Sequence, residues 1–144
     1  MKTKFLITIS FLTLVLISTI SCKKEASNQN EKYIKKNWKL DQYLVNSVDK
    51  TSALVISGYD ESYTDNLKYD RSFTDKNGAK VIQNGSFEFE NATRLKVSGV
   101  GSIEFTNNNT ASSSYYDIIK LDDTQLWYSY TNGNEKHEFR LSKR

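Results

Sequence analysis

Ser86-Phe87-Glu88-Phe89-Glu90 is the stretch that decides the fold. Successive side chains of an extended chain point to opposite faces, so both phenylalanines fall on one side and both glutamates on the other. A helix would scatter the same four residues around its axis. The pattern predicts a β-strand with one buried and one solvated face. Outward from it the same period of two recurs. Leu95-Lys96-Val97-Ser98 and Ile103-Glu104-Phe105-Thr106 alternate in the same way. Leu126, Tyr128 and Tyr130 share a face, as do His137, Phe139 and Leu141, with Glu138 and Arg140 opposite. These runs are rich in Tyr, Phe, Thr, Val and Ile, which pack well on a pleated surface. Strands are expected near residues 38–46, 59–65, 68–75, 80–90, 93–98, 101–107, 113–121, 125–131 and 136–142.

The punctuation between these runs is consistent with short antiparallel connections. The chain has no proline, so Asn, Asp and Gly must shape its turns. Asp75-Lys76-Asn77-Gly78 and Thr131-Asn132-Gly133-Asn134 each carry an Asn-Gly pair suited to the left-handed backbone of tight hairpins. Asn91-Ala92-Thr93 and Asp122-Asp123-Thr124 are further turns, and Asn107-Asn108-Asn109 reads as a looser loop. Helical signals are confined to Glu31–Lys36 and to the apolar run Thr51–Ile56, a helical turn or lid. Successive antiparallel strands form an up-and-down meander, and closing it into a barrel removes its exposed edges. A two-sheet sandwich is the structural alternative.

The N-terminus is a different kind of segment. Lys2 and Lys4 precede Phe5–Ile20, which carries no charge. The run is short for a membrane-spanning helix, which needs roughly 20 apolar residues. Basic start, apolar middle and small residues at the end match a secretory signal over residues 1–21. Residues 22–32 are polar after the cysteine, bury nothing large and read as a flexible tether. The folded part is then 33–144, a single domain at this length. The chain has 144 residues and a formal charge of +3; without residues 1–21 it keeps 18 basic against 17 acidic side chains, a formal +1. The basic balance is in part a targeting signal, and the lysines and arginines of the folded part form no stripe for nucleic acid.

Few residues can carry chemistry. One cysteine excludes a disulfide framework and multi-cysteine zinc sites, and the single His137 leaves little for an acid–base or metal cluster. No G-x-S-x-G elbow and no D-x-[DN]-x-[DN]-G calcium loop occurs. Asp60-Glu61 point to opposite faces of a strand, Glu88 and Glu90 line a solvated face, and Asp122-Asp123 sits where a turn is needed. Gly99-Val100-Gly101 supplies a turn or bulge, since no helix follows it to hold a phosphate. No catalytic residue, metal ligand or cofactor is expected. What remains is the aromatic load: nine tyrosines and two tryptophans, all within 33–144. Tyrosine pairs an apolar body with a polar tip, which suits the lining of a pocket as well as an exposed face meeting a partner.

Two stretches resemble known families. Ser18-Thr19-Ile20-Ser21-Cys22-Lys23-Lys24 resembles a bacterial lipoprotein lipobox, with Thr19 where the commonest pattern has Leu. The resemblance implies cleavage after Ser21, a diacylglyceryl group on the Cys22 sulfur and acylation of the new amine. Lys23 in place of Asp at the sorting position implies the outer membrane, with the leaflet left open. The layout from Trp38 to Arg144 resembles the lipocalin-like domain of small bacterial envelope lipoproteins. The residues that carry it are Asn37-Trp38-Lys39-Leu40, Asn84-Gly85-Ser86-Phe87, the run Tyr116–Tyr128 and Glu138-Phe139-Arg140-Leu141-Ser142-Lys143. Lys36 stands where true lipocalins have a glycine. This resemblance implies an eight-stranded calyx, in a family whose members mostly have no assigned ligand.

The expectation is therefore an all-β, lipocalin-like up-and-down barrel of about eight strands, monomeric, held to the outer membrane by lipid on Cys22. It would bind a small apolar molecule without catalysis, with Trp38, Tyr128, Tyr130 and His137 as candidate ligand residues. The alternative is an interaction or structural lipoprotein that uses its outer strand faces.

Overall fold

A computed structural model describes residues 29–99 and 113–144. The expected signal segment 1–21, Cys22, the first part of the tether, the expected strand 101–107 and the Asn107–Asn109 loop lie outside the described residues. A short helix α1 (29–34) leads into β1 (Asn37–Val45), the two-residue β2 (Val48–Asp49), a single helical turn α2 (Thr51–Leu54) and β3 (Val55–Tyr63). Then follow β4 (Lys68–Asp75), β5 (Lys80–Asn91), β6 (Arg94–Ser98), β7 (Ser113–Leu121), β8 (Gln125–Asn132) and β9 (Glu135–Lys143).

Every neighbouring pair is antiparallel, and β9 returns to pair with β1 from Trp38↔Lys143 to Val45↔His137. Apart from β2, which only extends β1, the strands close into an eight-stranded barrel. Closure decides against the sandwich, because no sheet edge is left for a second layer to cover. The quoted stretch behaves as its pattern requires. Phe87 is buried and Phe89 packs against the core, while Glu88 and Glu90 are exposed and pair outward with Lys96 and Arg94 across the strand and turn.

Three differences from the sequence reading have local causes. The strand expected at 59–65 starts at Val55, because the apolar run Thr51–Ile56 splits into α2 and the first residues of β3. In β1 the alternation slips at a bulge between Leu40 and Gln42, so Trp38 and Leu40 share the inner face with Tyr43 and Val45. The Asn77-Gly78 and Asn132-Gly133 pairs do make turns, but only the glycines take positive φ. In the β8–β9 hairpin Asn132 is paired with Glu135, so the two loop residues are Gly133 and Asn134. A fully left-handed pair forms instead at Asn46-Ser47, which turns β1 into β2.

Helix α1 starts inside the stretch expected to be tether. Six residues of helix are marginal by themselves, so packing must hold it. Ile34 is fully buried, the Trp38 indole N–H donates to its carbonyl at 2.8 Å, and Lys36 pairs with Asp123 in the β7–β8 turn. Asn30 adds a bond to the carbonyl of Ala92 in the β5–β6 turn. These contacts put α1 at the end of the barrel where β1 begins and β9 finishes. At the other end, β1 and β3 pair only over residues 37–39 and 60–62, and the β2–α2 segment lies against both where they part.

Candidate functional site

The hairpin β3–β4 reads Tyr59-Asp60-Glu61-Ser62-Tyr63 against Tyr69-Asp70-Arg71-Ser72-Phe73, in a register that sets Glu61 opposite Arg71 and Tyr63 opposite Tyr69. Alternation sends Tyr59, Glu61, Tyr63, Tyr69, Arg71 and Phe73 into the barrel, and all six are buried. Asp60 points outward to Arg144 at 2.7 Å, so Asp60 and Glu61 do face opposite ways. Glu61 is only 1% exposed, as is Arg71. Their ion pair is held at 3.1 Å inside the barrel.

Tyrosines complete the arrangement. Glu61 Oε1 accepts from Tyr59 at 2.7 Å, Tyr128 at 2.6 Å and Tyr69 at 3.1 Å, as well as from Arg71 Nε at 3.1 Å. Oε2 accepts from Tyr63 at 2.9 Å. Arg71 also reaches the Gln83 carbonyl oxygen at 3.3 Å, and its guanidinium lies over the rings of Tyr69 and Tyr59. A buried charge is tolerable only when paired and hydrogen-bonded, and here both conditions are met. Burial, reinforced by the Glu61 charge, pushes the phenols of Tyr59, Tyr63, Tyr69 and Tyr128 well above the ordinary tyrosine range, with Arg71 opposing the shift. With Oε1 engaged by four donors, this carboxylate is a structural anchor and not a poised base.

Beyond this layer, towards the β8–β9 turn, the interior carries a second cluster. Tyr130 and His137 are register partners whose rings stack 4.6 Å apart at 8°. Tyr43 from β1 stacks more loosely on His137 and places its hydroxyl 2.7 Å from His137 Nδ1. Tyr116 from β7 meets Tyr130 edge-on at 6.0 Å and Tyr128 at 5.0 Å. Two polar atoms here stand out. Tyr116 Oη and His137 Nε2 are buried without a hydrogen-bond partner among the described residues. The nearest acid to His137 Nε2 is Glu135, at 3.8 Å. Burial raises the Tyr116 phenol above its usual range, against the pull of Arg71. Each such orphan costs about 1–3 kcal/mol, so a native fold that keeps two needs a reason.

Of the four residues singled out from sequence, Tyr130 and His137 are brought into direct contact. Tyr128 sits next to them in the Glu61 layer, stacked on Phe139 at 5.1 Å. Trp38 is at the opposite end, fully buried and bonded to α1, where it closes the barrel. Glu61, Arg71, Tyr43 and Tyr116 escaped the sequence reading. A charged residue centred between inward aromatics on both strands of one hairpin was the signal for the first two. Asp122 is the turn residue its position implied. It accepts from the Thr124 N–H and hydroxyl and from the Gln125 N–H, bonds that hold its carboxyl down at about 2.

Neither a family model nor a curated protein matches this chain. Solved structures do. A lipocalin-like protein from Bacteroides uniformis superposes with a TM-score of 0.57 at 10% identity, covering 77% of this chain and 98% of its own. An uncharacterized protein from Bacteroides eggerthii gives a TM-score of 0.54 at 11% identity, covering 77% and 99%. At such identities the likeness speaks to architecture alone. The chain is a closed antiparallel eight-stranded barrel with a lipocalin-like fold.

Proposed function

We propose that this protein is a lipid-anchored lipoprotein of the bacterial outer membrane whose barrel binds a small, mostly apolar molecule without transforming it. The observation that carries the binding half is the pair of buried orphans, Tyr116 Oη and His137 Nε2, facing the interior of a lipocalin-like barrel among stacked aromatic rings. The mouth of a barrel is the usual place for such a ligand, and eight strands leave room for one small molecule at most. The anchoring half rests on the lipobox-like Ser18–Lys24 and on the basic and apolar segments before it. One acyl chain binds a membrane marginally, whereas the two or three implied for Cys22 would hold it durably.

The ligand reading is tested with residues 23–144, which contain every described residue of the closed barrel. Adding N-phenyl-1-naphthylamine, a neutral apolar dye, should give saturable fluorescence that His137→Ala weakens. Absence of any saturable signal refutes it. For the anchor, Cys22→Ser should release the protein from membranes and abolish metabolic lipid labelling; unchanged attachment refutes the lipobox reading.

One observation favours a second reading. Tyr115 and Ile119 are 42% and 45% exposed on the outer side of β7, near Trp127, which Lys120 and Arg140 flank. An outer wall of this composition suits a protein partner. Cross-linking in intact cells should then trap one specific envelope protein, and Ile119→Asp should abolish the adduct while His137→Ala leaves it intact.

A further inference from the structure

The two orphans can also say what kind of head group the ligand carries, an inference that rests on the small-ligand reading above. Glu135 Oε2, 3.8 Å from His137 Nε2, favours the ring proton on that nitrogen and leaves Nδ1 to accept from Tyr43. Tyr116 brings a hydroxyl proton from the other side of Tyr130. Both unsatisfied atoms are thus donors, and their complement is an acceptor oxygen.

Charge decides which oxygen. The cation nearest to Tyr116 inside the barrel is Arg71, and it is already spent: Glu61 neutralises it at 3.1 Å with tyrosines around the pair. The other acid beside the cluster, Glu135, is of the wrong sign to receive an anion. A carboxylate entering here would be desolvated with no unpaired cation to meet it, a cost of several kcal/mol. A ketone, ester or amide oxygen bears no such penalty and still satisfies both donors. We propose that the barrel selects a neutral, largely apolar molecule with a carbonyl-type oxygen, seated between Tyr116 and His137, and rejects the corresponding carboxylate.

The test uses residues 23–144 with N-phenyl-1-naphthylamine as reporter and three matched competitors: 2-decanone, decanoate and decane. Expected is displacement in the order 2-decanone, then decane, with decanoate weakest. Tyr116→Phe keeps the ring and the packing while removing the hydroxyl. It should weaken 2-decanone roughly two- to tenfold, the worth of one neutral hydrogen bond, and leave decane unchanged. Circular dichroism of the variant establishes that the barrel is intact. Tighter binding of decanoate overturns the neutral-head inference while leaving ligand binding standing. Equal binding of all three competitors, indifference to Tyr116→Phe, or a bound dye that none of them displaces overturns it too, and means that water serves the orphans. A dye that never binds refutes the small-ligand reading itself.

Discussion

Replacing Glu61 by glutamine is the sharpest perturbation this barrel offers. The side chain keeps its size, so no cavity opens, but Arg71 is left buried with its charge uncompensated. The geometry worsens as well. Five donors converge on the two carboxylate oxygens, and an amide presents N–H groups to whichever donors face its nitrogen. Breaking one side of a buried ion pair costs about 3–5 kcal/mol. A domain of this size has roughly 5–15 kcal/mol of stability in all, so the variant should lose a large share of it. At about 4 °C per kcal/mol, the melting temperature should fall by roughly 12–20 °C. Arg71→Met should cost a similar amount, because it leaves Glu61 charged among phenols alone. Combining Glu61→Gln with Arg71→Met removes both charges and should cost less than half the sum of the two single changes. Denaturant unfolding followed by the fluorescence of Trp38 and Trp127 measures all three variants. A cost for Glu61→Gln below about 1 kcal/mol, or additivity in the double variant, would refute the view that the two charges hold each other in place.

Two further predictions concern pH. Tyr59, Tyr63, Tyr69 and Tyr128 have folded-state pKa values raised well above 10.0, so below pH 10 they contribute no pH dependence. Above it the unfolded chain releases protons that the barrel retains, and stability falls by about 1.4 kcal/mol per pH unit for each tyrosine. Phenolate absorbance should therefore rise in one step with loss of near-ultraviolet circular dichroism; ionisation of these phenols within an intact barrel would contradict the burial argument. Asp122 works in the other direction. Its carboxyl lies at about 2 in the folded state against 3.8 ordinarily, so its contribution is full above 3.8 and is lost as pH falls through about 2. Asp122→Asn can keep the turn bonds but should flatten the acid unfolding curve in that interval, and Asp122→Ala should cost about 1 kcal/mol at neutral pH. An unchanged acid limb in Asp122→Asn would show that the β7–β8 turn does not depend on this charge.

The strands were legible because one-sided burial writes itself into sequence with a period of two. Phe87 and Phe89, Leu95 and Val97, and His137, Phe139 and Leu141 all face inward as their spacing implies. Where the period breaks, sequence reading loses the thread. The β1 bulge lets Leu40 and Tyr43 share a face, which an unbroken alternation forbids. The Asn46-Ser47 turn has no glycine to announce it, since asparagine tolerates left-handed φ and serine follows it there under tertiary constraint. Helix α1 is likewise a product of packing: the sequence around 29–34 looks like tether until Ile34 finds the end of the barrel.

The site was half legible for a related reason. Tyr130 and His137 belong to one hairpin, and alternation in two adjacent strands is enough to bring them together. The Glu61 layer is assembled from residues far apart in the chain, with Tyr128 lying 67 positions from the carboxylate it serves. No local pattern encodes that meeting, because it is created by the order in which eight strands close. Read by burial preference alone, Glu61 and Arg71 belong outside with Asp60 and Asp70. They are inside because the register pairs them and the inward phase of β3 and β4 leaves them no other face. The same phase rule places Tyr116 and His137 inward, but there the partners run out. The barrel thus has one polar layer that satisfies itself and one that does not. The second, beyond the ion pair and remote from the end that Trp38 and α1 close, is where a ligand has bonds left to make.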